Sequence, residues 1–223
     1  MGHIADNINK FKDEIPESVK LVAVSKTKPN DDILEAFGAE QIIFGENKVQ
    51  DLAKKAEVLP QEIEWHFIGH LQSNKVKYIA PFVSLVHAVD SLKLLKEINK
   101  QAKKNDRTIY CLLQFHIASE ETKFGLDLDE ANEILQNPAF GGLKNIEIHG
   151  VMGMASYSDD VDQVRSEFAS LRTIFNDLKT RFFNKQPYFK EISMGMSGDY
   201  PIAIEEGSTM IRVGSSIFGA RNY

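Results

Sequence analysis

Short apolar runs alternate with amphipathic stretches along nearly the whole chain, and this alternation limits the available folds more than any other feature. The runs fall at residues 21–24, 41–44, 65–68, 83–89, 108–117, 146–151, 189–193 and 210–213. Each is short and rich in β-branched or aromatic residues, as buried strands are. Between them, apolar residues recur at helical spacing. Ile33, Leu34 and Phe37 form one such set, and Leu94, Leu95 and Ile98 another. The longest set is Val164, Phe168, Leu171, Phe175 and Leu178, within a helix expected over 161–183. Ser73 is the expected N-cap of a further helix through Val76 and Ile79. Strand–helix alternation calls for a parallel sheet, because parallel neighbours need a crossover. Eight such units in 223 residues match a closed (β/α)8 barrel, the TIM barrel. Ile4, Ile8 and Phe11 add a short amphipathic helix in front of it. No linker or low-complexity tract interrupts residues 1–223, so a single α/β domain is expected.

Charge and composition remove several functional classes. Lys and Arg number 26 against 32 Asp and Glu, a net charge of −6, so no global basic field is available to hold nucleic acid. The apolar runs are far shorter than a membrane span. The first twenty residues are polar, without the apolar stretch of a signal peptide. Cys111 is the single cysteine and sits in an apolar run, which suits a small core residue. A cytoplasmic location is the expectation. Lys93, Lys96, Lys100, Lys103 and Lys104 read as the solvated face of one helix.

Two places carry chemistry. The first is Lys26, just past the carboxyl end of the first strand, and ligands of barrels bind at that end. A lysine there is an amine that can attack a carbonyl if its surroundings favour the neutral form. Most lysines are simply solvated, so position alone does not settle its role. The second place is the last quarter. Ser197 precedes a short helix with Pro201 in its first turn, and Gly214-Ser215-Ser216 follows the eighth strand. Loops after strands seven and eight often bind phosphate through backbone N–H groups and hydroxyls. Ordinary N-capping explains the same serines equally well. Arg212 lies inside an apolar strand, where its charge needs a partner. Methionine–glycine pairs follow strands six and seven, at Met152-Gly153-Met154 and Met194-Gly195-Met196. They serve equally as gap-fillers or as ligand contacts.

An amine and a phosphate cup at one mouth suit an aldehyde or ketone bearing phosphate. Bound pyridoxal phosphate and a sugar phosphate held by a Schiff-base aldolase both fit. His66 and His70 are four apart, but along a strand that spans roughly 13 Å, too far for one metal ion. No Walker loop, dinucleotide fingerprint or His-Glu-x-x-His motif is present. His87, His116 and His149 fall near strand ends without an assigned role.

The segments LVAVSKTKP, FGENKVQ, WHFIGHLQSNK and SMGMSGDYPIAIEEGSTMIRVGSSIFGAR occur in that order, from about Val22 to Arg221. In them the chain closely resembles the pyridoxal-phosphate homeostasis protein family, also called the YggS/PROSC family. The resemblance implies a single (β/α)8 barrel like the N-terminal domain of alanine racemase. It implies that Lys26 holds pyridoxal 5'-phosphate as an internal aldimine, and that Ser197, Gly214 and Ser215 bind the phosphate. Arg212 would face the pyridine nitrogen, and Asn47, His70 and Met194 would line the pocket. The family often has threonine where this chain has Ser215, which keeps the hydroxyl. A guanidinium cannot take up a proton from the ring nitrogen, so carbanion chemistry would be weak. The racemase's second domain and its tyrosine from the neighbouring subunit have no counterpart in the motifs, with Tyr157 and Tyr200 the nearest stand-ins. The expectation is a monomeric carrier that buffers the cofactor and supplies apo-enzymes, with no membrane partner and no established catalytic residue. An amino-acid racemase using the same lysine is the alternative.

Overall fold

The structure, a computed structural model, describes residues 3–119 and 124–219. Residues 120–123 of the polar loop after the fifth strand lie outside the described residues, as does Arg221. Helix α1 (His3–Glu14) leads, followed by β1 (Lys20–Val24), α2 (Asn30–Gly38), β2 (Ile43–Glu46), α3 (Val49–Val58) and β3 (Glu64–Phe67). A 3-10 segment (Ser73–Tyr78) leads to β4 (Leu85–Val89), α4 (Leu92–Lys104), β5 (Ile109–Phe115) and α5 (Leu128–Gln136). The remainder is β6 (Ile146–Gly153), α6 (Val161–Arg181), β7 (Glu191–Ser193), α7 (Tyr200–Glu205), β8 (Met210–Val213) and α8 (Ser215–Phe218). The eight strands form a closed parallel barrel in chain order. β1 closes on β8 with Lys20 opposite Met210 and Ala23 opposite Val213.

Strand alternation divides the core into two layers. Leu21, Ala23, Ile192, Ile211 and Val213 face outward into the large layer beneath the helices. Val22, Leu85, Leu112, Met152 and Met210 fill part of the barrel interior. Cys111 is fully buried in the outer layer, and burial pushes its thiol up. The lysines of α4 are all exposed, as its amphipathic pattern requires. Helix starts follow the local chemistry. Ser91 Oγ accepts the Leu94 N–H, and Asp127 and Glu130 form a reciprocal capping box. No helix among the described residues is long and apolar enough to cross a membrane.

Three local expectations shift. The second strand starts at Ile43 and extends through Glu46, because Gln41 turns its amide onto the carbonyls of Leu21 and Ile43 at 2.8 and 2.7 Å. The helix expected after Ser73 is a 3-10 segment with Gln72, not Ser73, at its N-cap position. Its two apolar anchors, Val76 and Ile79, are three residues apart, the repeat of the tighter helix. The sixth strand runs on to Gly153, which places Met152 within the barrel.

Candidate functional site

A cavity of about 900 Å³ opens at the carboxyl ends of the strands. Lys26 lies in its wall, two residues beyond Val24 and in phase with the inward Val22. The intervening Ser25 points the other way and is fully buried. Its hydroxyl donates to Glu46 Oε1 at 2.7 Å. Lys55 Nζ, reaching in from α3, donates to the same oxygen at 2.6 Å and to the Ser25 carbonyl at 2.9 Å. A buried ion pair therefore clamps the ends of β1 and β2 to α3 directly behind Lys26. Thr27 follows in the left-handed region at φ 67°, so the chain turns sharply as it leaves the strand. Glu46 Oε2 is buried without a hydrogen-bond partner among the described residues. Glu46→Gln leaves the Lys55 ammonium buried without its counter-charge. Loss of one partner of a buried pair typically costs about 3–5 kcal/mol, and urea unfolding should show a drop of that order. A drop below about 1 kcal/mol would mean the clamp contributes little.

The loops after β7 and β8 meet across the mouth. Gly195 sits at φ 95°, and a Cβ there would come within 2.7 Å of Ala203 Cβ, so the first turn after β7 admits only glycine. Asp199 then accepts the Met196 N–H, and the Gly195 carbonyl accepts the Arg212 backbone N–H at 2.9 Å. This tie brings Ser197 to Gly214, whose N–H donates to Ser197 Oγ at 3.4 Å. Ser197, Gly214, Ser215 and Ser216 all line the cavity. Ser215 opens α8, and the Gly214 carbonyl takes the N–H groups of Ile217 and Phe218, leaving those of Ser215 and Ser216 at the uncapped end.

Arg212 reaches the cavity from inside the barrel and is 4% exposed. Its hydrogen bonds go to neutral oxygens: the carbonyl and hydroxyl of Ser193 at 2.7 and 2.6 Å, and the Gly153 carbonyl at 3.0 Å. Burial pushes its guanidinium down to about 10, against the pull of the Asp199 carboxylate, so it stays charged at neutral pH. Asn47 and His70, past the ends of β2 and β3, line the same cavity. Gly69 sets them side by side, since a Cβ there would lie 2.4 Å from the Asn47 carbonyl oxygen. His70 Nδ1 lies 3.4 Å from Asp90 Oδ2, and its ring stacks on Phe124 with centroids 4.8 Å apart. His66, by contrast, is buried deep in the barrel against His87, so the two histidines four apart serve different places.

Met194 does not line the cavity. Ser193 takes the inward position of β7, and Met194 is fully buried in the outer layer, where it fills space beneath the helices. Met154 and Met196 are the methionines at the mouth. Lys28 also reaches the cavity. It lies in the cavity wall, with its ammonium donating to the carbonyls of Phe218 and Gly219 at 2.8 and 3.3 Å. Tyr157 stands fully exposed at the rim, whereas Tyr200 packs on Phe11 and its hydroxyl lies 3.4 Å from Glu14. Sequence reasoning missed Gln114, which lines the cavity and donates to the Phe124 carbonyl at 2.9 Å. It also missed Glu167, which accepts from the N–H and hydroxyl of both Ser119 and Ser156 and so joins two mouth loops. Burial works to raise the Glu167 carboxyl, but these four bonds outweigh it and hold it below its ordinary value. A polar residue inside an apolar strand was the available signal for Gln114; Glu167 carried none.

The alanine racemase N-terminal domain family matches residues 1–222 of this chain. The pyridoxal phosphate homeostasis protein of Vibrio alginolyticus is 41% identical, over the full length of both chains. That of Escherichia coli K12 is 35% identical, covering 100% of this chain and 99% of its own. Among solved structures, PipY of Synechococcus elongatus, determined with pyridoxal phosphate bound, has a TM-score of 0.86 at 35% identity and covers 97% of this chain and 100% of its own. Alanine racemase of Enterococcus faecalis shares the fold alone, with a TM-score of 0.74 at 15% identity over 98% of this chain and 58% of its own. With full-length identity to several homeostasis proteins and the barrel of the racemases, the chain belongs to the pyridoxal phosphate homeostasis protein family.

Proposed function

We propose that this protein binds pyridoxal phosphate covalently through Lys26, the Schiff-base lysine, and serves as a monomeric carrier that buffers the cofactor and hands it to apo-enzymes. One observation carries the reading: an amine, a buried guanidinium and a cup of hydroxyls and backbone N–H groups converge on one cavity. This donor set fits the group. The Lys26 amine suits an aldehyde carbon, the Arg212 N–H groups suit a ring nitrogen, and the Ser197–Gly214–Ser215 cup suits a phosphate. The bound cofactor supplies an electrophilic carbon and a ring that can absorb charge. The protein's own residues limit that second property. Arg212 donates hydrogen bonds but gives up no proton at neutral pH, so a ring nitrogen beside it meets no acid. The names of the full-length relatives and the bound cofactor in the Synechococcus structure support the same reading.

The phosphate cup is tested by truncating its hydroxyls. Ser197→Ala and Ser215→Ala should each weaken pyridoxal phosphate binding by about 1.5–3 kcal/mol, the range for hydrogen bonds to charged groups. Pyridoxal without phosphate should lose far less. Equal weakening of the two ligands, measured by absorbance titration, would make these serines structural instead. A protein that stays colourless with pyridoxal phosphate but condenses with a sugar phosphate would favour the aldolase alternative.

A further inference from the structure

Beneath the cavity floor, polar side chains from four strands run in contact through the barrel. Arg212 Nη1 of β8 donates to Ser193 Oγ of β7 at 2.6 Å. His87 Nδ1 of β4 lies 3.0 Å from the same hydroxyl, and His87 Nε2 lies 3.0 Å from His66 Nδ1 of β3. Ser193 and His87 are fully buried, and His66 and Arg212 are each 4% exposed. Val22, Leu85, Leu112, Met152 and Met210 fill the rest of the interior. At the base, Lys20 of β1 pairs with Glu191 of β7 at 2.6 Å. Barrel interiors are ordinarily packed with branched apolar residues. A column of polar groups there adds desolvation that only mutual hydrogen bonding offsets. Stability of the fold therefore does not account for it.

The column has a polarity. Arginine only donates, so Ser193 Oγ accepts from Arg212 and has its own proton left to give to His87 Nδ1. His87 then carries its proton on Nε2 and donates to His66 Nδ1. In that order each contact has one donor and one acceptor with both imidazoles neutral. Their environment holds them neutral. Burial, then the Lys20 charge, pushes His66 down to about 3. Burial, then His66 and Arg212, pushes His87 well below its usual value.

We propose that Ser193, His87 and His66 are positioning residues that fix the Arg212 guanidinium as an N–H donor to the cofactor's ring nitrogen, and that this hydrogen-bond chain reports occupancy of the cavity to His87. The inference rests on the reading that pyridoxal phosphate binds here with its ring nitrogen at Arg212. A ligand drawing on an Arg212 N–H redistributes charge along the chain, so the imidazole nitrogens of His87 change their shielding although they touch no ligand.

The test is 15N NMR of histidine-labelled protein before and after addition of pyridoxal phosphate, with Lys26 modification followed in parallel by borohydride reduction and mass spectrometry. The free protein should show His87 in the Nε2–H tautomer, and the cofactor should shift its Nδ1 signal. Ser193→Ala should abolish that shift while Lys26 is still modified, and Ser193→Thr, which keeps the hydroxyl, should restore it. Should Ser193→Ala fail to fold, His66→Asn cuts the chain at its far end, and the cofactor-dependent shift of His87 should then change in size. An unmoved His87 in the native protein with Lys26 modified, or an unchanged shift in the variant used, would overturn the inference. So would a protonated ring nitrogen in 15N-labelled bound cofactor. Absence of Lys26 modification would instead remove the binding reading on which the inference stands.

Discussion

Borohydride reduction of the protein in the presence of pyridoxal phosphate should leave a pyridoxyl group on Lys26, and Lys26→Ala should lose it. Both Lys26 and Lys28 lie in the cavity wall, so proximity alone does not separate them. Their settings do. Lys28 has its ammonium committed to two carbonyls at the end of α8, at 2.8 and 3.3 Å. To attack a carbonyl carbon it would have to give up both of those bonds and leave the end of α8. Lys26 leaves β1 in phase with the interior, and the Ser25–Glu46–Lys55 clamp fixes the residue before it. Peptide mapping reads the result directly. A pyridoxyl mass on Lys28 in the native protein, or one retained by Lys26→Ala, would refute the assignment.

Exchange of the α-proton of L-alanine should be far slower than ordinary enzyme turnover, which runs at about 1–10³ per second. The reason lies in the groups around Arg212. A protonated ring nitrogen strengthens carbanion stabilisation, and a carboxylate beside it keeps it protonated. Here the guanidinium is held by the Ser193 carbonyl and hydroxyl and by the Gly153 carbonyl. Behind it stand two neutral histidines rather than an acid. Proton transfer on both faces of a substrate is a second requirement of racemisation. Tyr200, one of the two tyrosines the sequence offered, packs away from the cavity, and Tyr157 is fully exposed at its rim. Arg212→Glu would place a carboxylate beside the ring but would also set a negative charge in a cavity that must hold a phosphate. Weaker cofactor binding with faster exchange per bound cofactor is the expected outcome. Deuterium incorporation followed by NMR, normalised to occupancy, measures both. Turnover-scale exchange in the unmutated protein would restore the racemase alternative.

Sequence alone determined the eight-strand barrel, the placement of Lys26 at a strand end and the serine–glycine loops after β7 and β8. These follow from short-range physics: apolar periodicity, turn chemistry at Gly and Pro, and the single crossover geometry open to parallel strands. The third strand's His66 and the eighth strand's Arg212 were visible as polar intruders, but their partners were not. Arg212 meets Ser193 across 19 positions, and His87 meets Ser193 across 106. Such pairs form only when the barrel closes and sets the register between strands, and no local pattern encodes that register. Parity decided the fate of Met194 in the same way. With Ser193 turned inward, its neighbour had to face the helices, although the motif alone suited either side. The clamp of Ser25, Glu46 and Lys55 depends on α3 landing against β1 and β2, a packing contact that three separate stretches of sequence cannot announce. The tertiary structure therefore decided which side chains share the cavity and which support it from behind, because those relations depend on barrel closure and on which face each strand turns inward.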